Sequence, residues 1–213
     1  MKVLDFNGIK VKWLGHDGYR FDFDGKILYI DPYEVHEHDK ADIILVTHGH
    51  YDHCSIADLK KLTRQDTLIV TTPDTTSKLS GKVHGGHVKL VKPEESFMFK
   101  DIKIRTVPAY NTNKAFHPKD NQWVGYVFTI KNLTFYHAGD TDFIPEMEDI
   151  SADVAFLPIS GTYVMNVEEA VYAARKIMPK VVIPMHYGKI VGSKADAVKF
   201  KELCNFCDVK LMD

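Results

Sequence analysis

No stretch of the 213 residues approaches the ~18 consecutive apolar residues that a membrane-spanning helix needs. The longest apolar runs, such as Ile43 to Val46, are strand-sized. Cysteine is scarce: three residues, an odd number, do not make a disulfide framework. Neither sign of charge is in excess, since 27 basic against 29 acidic residues leaves −2. That balance disfavours a dedicated nucleic-acid binder, which carries a strong basic surplus. The opening Met1-Lys2-Val3-Leu4-Asp5-Phe6 meets an acid at Asp5, too early for the apolar region of a signal peptide. No Pro/Gly/Ser-rich linker, low-complexity tract or shift of composition divides the chain, so one domain over residues 1–213 is expected. A Gly-x-Ser-x-Gly elbow is also missing, and Ser160-Gly161 reads as a turn. These absences predict a soluble, cytoplasmic protein that does not use a nucleophilic serine.

Histidine is abundant by contrast. There are 11, about twice the share expected from average usage. Several lie beside Gly or Asp at the ends of apolar runs, where loops carry function on a rigid scaffold. Short strands are expected over Ile9 to Leu14, Tyr19 to Phe23 and Ile27 to Ile30, with Asp24-Gly25 as a hairpin turn. Asp42 to Thr47 reads as a strand buried on both faces, followed by a short helix from Ile56 to Leu62 capped by Ser55. Further strands are expected at Thr67 to Thr71, Val88 to Val91, Phe97 to Phe99 and Ile102 to Val107. Others follow at Trp123 to Ile130, Leu133 to Tyr136, Val154 to Leu157, Val181 to Ile183 and Val209 to Met212. Val167, Ala170, Val171, Ala174, Ile177 and Met178 mark one face of a helix over Asn166 to Met178, with Asn166 and Glu169 as a capping box and Pro179 as its stop. A last helix is expected over Ser193 to Asn205. Strands dominate, which predicts two sheets with helices outside.

The decisive segment is Thr47-His48-Gly49-His50-Tyr51-Asp52-His53, directly after a buried strand. His48 and His50 point to the same side while the chain stays extended. Asp52 and His53 turn into the next helix and face a different point. Neutral imidazole and carboxylate suit zinc, iron or manganese, and two directions of ligands suit two adjacent ions. Two later strand ends repeat the pattern: His137-Ala138-Gly139-Asp140-Thr141-Asp142 and His186-Tyr187-Gly188. Asp140 is the candidate to bridge two cations, and His186 to complete the site of Asp52 and His53.

The chain resembles the metallo-β-lactamase-fold superfamily of metal-dependent hydrolases, in the branch that contains ascorbate-6-phosphate lactonase and related hydrolases. The resemblance is carried by Trp13-Leu14-Gly15-His16, Ile30-Asp31-Pro32, Thr47 to His53, Val107-Pro108-Ala109-Tyr110, Tyr136 to Thr141, Leu157-Pro158-Ile159 and Ile183-Pro184-Met185-His186-Tyr187. It implies an α+β fold, a four-layer αββα sandwich with two divalent ions at one edge, zinc first and manganese or iron as alternatives. It implies His48 and His50 on the first ion, Asp52, His53 and His186 on the second, and Asp140 between them. The superfamily usually gives the first ion a third histidine. Near relatives place it just after Pro-Ala-Tyr, where this chain has Asn111. Asn111 as a weak ligand, His117 from the same loop, and a partly filled first site all stay open. His137, three residues before Asp140, faces away from it in a strand.

Two such ions share a water and bring its pKa toward ~7. Asp52 is the candidate to orient that water or relay a proton, and His16, matching the family's site-facing histidine, to touch substrate. As bare residues, His16 also reads as a turn histidine, and Asp31 either as a turn cap or as the acceptor that fixes a ligand imidazole. His36, His38, His84 and His87 read as surface. Cys54 reads as packed under the motif, and Cys204-x-x-Cys207 as two half-buried thiols. Tyr163, Tyr187 and Lys189 are candidates to line the groove. The expectation is hydrolysis of a small ester, lactone or phosphoester. The alternatives are a non-hydrolytic di-iron, redox or degenerate metal-binding protein, and a small phosphodiesterase or nuclease. The expected partner is a small-molecule substrate, not a membrane or nucleic acid, with oligomerisation left open.

Overall fold

Strands form where the apolar runs lie, and tight turns form where the sequence supplies residues that tolerate positive φ. The computed structural model describes residues 2–212. The chain divides into two compact units, residues 2–91 with 212, and Lys92–Leu211. Among the described residues, no helix is long and apolar enough to cross a membrane.

The first unit carries β1 (Val3–Phe6), β2 (Ile9–Gly15), β3 (Gly18–Phe23), β4 (Lys26–Ile30), β5 (Ile43–Leu45), β6 (Leu68–Thr71) and β7 (His87–Leu90), with helices α1 (Ile56–Leu62) and α2 (Thr76–Leu79). Its seven strands lie side by side in chain order. β1 to β4 pair antiparallel, and β4 to β7 pair parallel. Asp24 and Gly25 both take positive φ, as a two-residue hairpin turn requires. Parallel strands need covered faces, and β5 is buried at all three positions. Leu59 and Leu62 of α1 close one face, in a cluster with Tyr29, Ile44, Val46, Ile69 and Leu79. Ser55 caps α1, its hydroxyl accepting from the Asp58 amide. The β1 strand and α2 have no counterpart in the sequence reading.

The second unit carries β8 (Ser96–Phe99), β9 (Ile102–Pro108), β10 (Val124–Ile130), β11 (Leu133–His137), β12 (Val154–Pro158), β13 (Val181–Met185) and β14 (Asp208–Val209), with α3 (Val167–Ile177) and α4 (Lys194–Leu203). Its topology repeats that of the first unit, antiparallel from β8 to β11 and parallel from β11 to β14. The capping box of α3 forms as expected: the Asn166 carboxamide accepts from the Glu169 amide at 2.8 Å, and the Glu169 carboxylate accepts from the Asn166 amide at 2.9 Å. Met178 departs from the expected face. It is the C-cap, with φ +50°, so its side chain swings to solvent at 61% exposure.

Tyr136 is buried on β11, and its hydroxyl has no hydrogen-bond partner among the described residues. Burial pushes its phenol above the ordinary range. An unsatisfied buried hydroxyl costs more than its removal. Tyr136→Phe is therefore expected to raise the unfolding free energy by about 1 kcal/mol, read as a higher urea midpoint at unchanged slope.

Candidate metal centre

In the first unit the candidate ligands follow β5. Asp31, one residue past the end of β4, is fully buried and organises them. Its carboxylate accepts from the Thr47 amide at 2.8 Å, from the Thr47 hydroxyl at 2.6 Å and from His53 Nδ1 at 2.8 Å. That last contact makes His53 Nδ1 the protonated nitrogen and leaves the lone pair on Nε2. The Thr47 hydroxyl points its hydrogen at Asp31, so towards His48 Nδ1, 3.0 Å away, it accepts. The lone pair of His48 is therefore also on Nε2, 2.9 Å from His50 Nδ1. Two nitrogens on one tetrahedral zinc stand about 3.3 Å apart for bonds of about 2.05 Å, so the rings, at hydrogen-bond distance here, need part by only a few tenths of an ångström to share a cation. His16, which reads as a turn histidine on its own, is fully buried with φ +52°. Its Nε2 lies 3.1 Å from Asp52 Oδ2, and His53 Nε2 lies 3.8 Å from the same oxygen. His16, Asp52 and His53 thus each offer a ligand atom within 4.8 Å of the others.

Gly49, between His48 and His50, is clamped. Asp74 accepts from its amide at 3.0 Å, Thr72 donates to the other Asp74 oxygen at 2.6 Å, and Lys78 donates to the Gly49 carbonyl. A Cβ at position 49 would overlap Asp74 Oδ2. Beneath the segment, Cys54 is buried in the apolar cluster, and burial pushes its thiol up to about 12.

In the second unit Asp140, 4% exposed, is the focus. Its Oδ2 lies 3.1 Å from His117 Nε2 and 3.3 Å from His186 Nε2. His117 Nδ1 faces two oxygens that can only accept, Asn111 Oδ1 at 3.0 Å and the Tyr163 carbonyl at 3.1 Å. Nδ1 must carry the proton, so a neutral His117 turns its Nε2 lone pair at a carboxylate. Lone pair against carboxylate is repulsive, and a cation between them removes the repulsion. Imidazole nitrogens around a carboxylate form a donor set for zinc, manganese or iron. The residues present fit a divalent metal.

Of the two loop candidates for the third ligand, His117 and not Asn111 stands against Asp140. Asn111 spends its side chain on its neighbours: Oδ1 accepts from the His117 amide and ring, and Nδ2 donates to the Tyr163 carbonyl at 2.9 Å. The histidine, not the asparagine, meets Asp140. Trp123 packs edge-on against the His117 ring, with centroids 5.5 Å apart. The loop is tied down by Asp142, which accepts from the Thr112 amide at 2.8 Å and pairs with Lys114. Ser160, read as a turn, has its hydroxyl 2.9 Å from His186 Nδ1. His137 is fully buried and its Nδ1 accepts from the Gly139 amide at 3.3 Å. One glycine sets the approach of strand to loop: a Cβ on Gly125 of β10 would stand 2.7 Å from the carbonyl oxygens of both His137 and Ala138.

His36, His38, His84 and His87 are exposed, as expected. Buried Asp17, whose Oδ2 lies 3.9 Å from His53 Nδ1, was not singled out by the sequence. Nor were Asp74, Lys78 and the Tyr163 carbonyl. Two of these are side chains distant in sequence and the third is a backbone atom, so no local motif announces them.

Comparison with known proteins follows the same lines. Residues 10–186 match the family model of a beta-lactamase superfamily domain. A UPF0173 metal-dependent hydrolase of Bacillus cereus is 30% identical over 230 aligned residues, covering 96% of this chain and 97% of its own. The crystal structure of a "Putative metal-dependent hydrolase" from Parabacteroides distasonis matches with a TM-score of 0.88 at 30% identity, covering 99% of this chain and 97% of its own. Igni18, a metallo hydrolase from the archaeon Ignicoccus hospitalis, matches with a TM-score of 0.78 at 25% identity over 96% and 95%. With the family model spanning most of the chain and the Bacillus cereus relative matched over nearly its whole length, the chain belongs to the UPF0173 metal-dependent hydrolases of the metallo-β-lactamase superfamily.

Proposed function

We propose that the chain is a hydrolase of small esters, lactones or phosphoesters that works with two divalent ions, zinc first. On this reading residues 1–213 act as one functional domain. His48, His50 and His117 serve one ion, Asp52, His53 and His186 the other, and Asp140 both. The observation that carries the reading is the convergence of His117 Nε2 and His186 Nε2 on a single Asp140 oxygen, at 3.1 and 3.3 Å. The Nδ1 of His117 is committed elsewhere.

A pair of ions in such a donor set supplies a water ionised near neutral pH and an electrophile for a carbonyl or phosphoryl oxygen. The protein's own groups do the rest. Asp31 and the Tyr163 carbonyl hold His53 and His117 in the tautomer whose Nε2 can ligate. Asp52 presents a carboxylate to accept or relay a proton, and His16 steadies it through the 3.1 Å contact. On this reading the third imidazole of the first ion is His117, whose place beside Asp140 favours a filled first site over a degenerate one. The compartment assigned on this reading is the cytoplasm, and the substrate a small molecule.

The test is metal analysis of the purified chain together with a screen of lactones, carboxylic esters and phosphodiesters. Two divalent ions per chain and a chelator-sensitive hydrolysis are expected. Iron with no hydrolysis of any member of the screen would overturn the proposal. A sharper expectation concerns Asn111. Removing a residue that orients a ligand imidazole typically weakens binding about 10- to 100-fold. Asn111→Ala is expected to lose metal affinity by that factor in a competition titration against a chelating dye, with the far-ultraviolet spectrum unchanged.

A further inference from the structure

Cys204 closes α4 as its C-cap, its amide donating to the Phe200 carbonyl at 2.9 Å. Cys207 follows three residues later, just before β14. The two sulfurs stand 3.3 Å apart. Cys204 is buried and Cys207 partly exposed. The turn between them is held on both sides. The Arg175 guanidinium of α3 sits 4.3 Å from the Phe206 ring centroid, and the Asp208 amide donates to the Lys180 carbonyl at 3.1 Å. Among the described residues, neither cysteine belongs to a group of three or more potential metal ligands. The pair therefore invites thiol chemistry, not coordination, and it is separate from the hydrolytic reading.

We propose that Cys204 and Cys207 form a dithiol modification site that low-molecular-weight disulfides oxidise to an intramolecular disulfide, with Cys207 attacking first and Cys204 resolving. The two sulfurs share one S–H···S contact, which holds the Cys207 thiol below its ordinary range and pushes that of Cys204 up. The thiolate is the nucleophile in exchange. Cys207, the less buried residue of the two and the one that gives up its proton more readily, attacks one sulfur of a disulfide such as oxidised glutathione. The S–S bond of the reagent breaks, one glutathione leaves as thiolate and takes a proton from water, and a mixed disulfide stays on Cys207. Cys204 then loses its proton to solvent and its sulfur attacks the Cys207 sulfur, expelling the second glutathione. Two protein thiols are oxidised by two electrons and one small disulfide is reduced to two thiols. The sulfurs need to close from 3.3 Å to about 2.0 Å. The loop so closed is short, which limits the entropic gain, and the change registers in thiol reactivity more than in stability.

The experiment exposes the folded, full-length protein to oxidised glutathione under argon, then unfolds it and counts alkylatable thiols by intact mass and peptide mapping. The wild-type chain is expected to fall from three thiols to one, with the mass of two hydrogens lost, no glutathione retained, and Cys204 linked to Cys207. Cys204→Ser is expected to stop with one glutathione on Cys207. Cys207→Ser is expected to take up none in the same time. A wild-type chain that keeps three thiols or retains glutathione would overturn the proposal. So would equal reaction of the two serine variants. The wild-type arm stands whether or not either variant folds.

Discussion

Purified in the presence of zinc, the Asp140→Ala variant should retain at most one ion per chain and lose hydrolytic activity by at least about 10³-fold, since several kcal/mol of charge stabilisation go with the metals. The expectation follows from what surrounds the carboxylate. Asp140 is almost fully buried, and one of its oxygens is approached by imidazole nitrogens from two separate loops. With alanine there, the anionic oxygen that both Nε2 atoms face is gone. Each ligand set is left with neutral groups on that side, and neutral imidazoles alone hold a divalent ion less tightly. Metal content and activity should fall together, and added zinc should restore neither. Full activity with unchanged stoichiometry would remove the bridging role from Asp140.

The second large effect is expected at Asp31, which is fully buried. Its carboxylate gathers the Thr47 amide, the Thr47 hydroxyl and the His53 ring. All three donors are fully buried. Asp31→Ala leaves them without an acceptor, and breaking a buried charged hydrogen-bond set costs about 3–5 kcal/mol. The loss should appear in urea unfolding of chelator-treated protein, where no metal contributes to stability. The same substitution frees the His53 tautomer, so affinity for the metal should drop about 10- to 100-fold. Asp31→Asn separates the two effects. Its single oxygen can still accept from Thr47, but its amide cannot hold the His53 Nδ1 proton. Stability should recover more than metal affinity does. If both variants unfold and bind like the wild type, the carboxylate has no organising role.

Much of this arrangement was legible in the chain before the structure. His-x-His-x-Asp-His after an apolar strand is local, and its geometry follows from the extended backbone and the helix start that Ser55 caps. The capping box of Asn166 and Glu169 and the Asp24-Gly25 turn are equally local, and they form as expected. What escaped the sequence depends on distant partners. The choice between Asn111 and His117 turns on a Tyr163 carbonyl some fifty residues away. Ser160 looks like a turn residue until its hydroxyl is seen beside His186. Asp74 and Lys78 read as ordinary polar residues around a short helix, yet they grip both backbone groups of Gly49. The β1 strand is short and half exposed, so its burial pattern is weak, and only its pairing with β2 defines it.

Gly125 shows how far the influence of such partners reaches. It bears no donor atom and lies fifteen positions before Asp140, but any side chain there would press on the carbonyls of His137 and Ala138. The strand would have to yield by shifting the backbone that delivers the carboxylate. A survey of inactive variants would therefore find hits along β10 that look like folding lesions by location and behave like cofactor lesions in the assay. Supplying excess zinc, which rescues a merely weakened ligand, would leave them inactive.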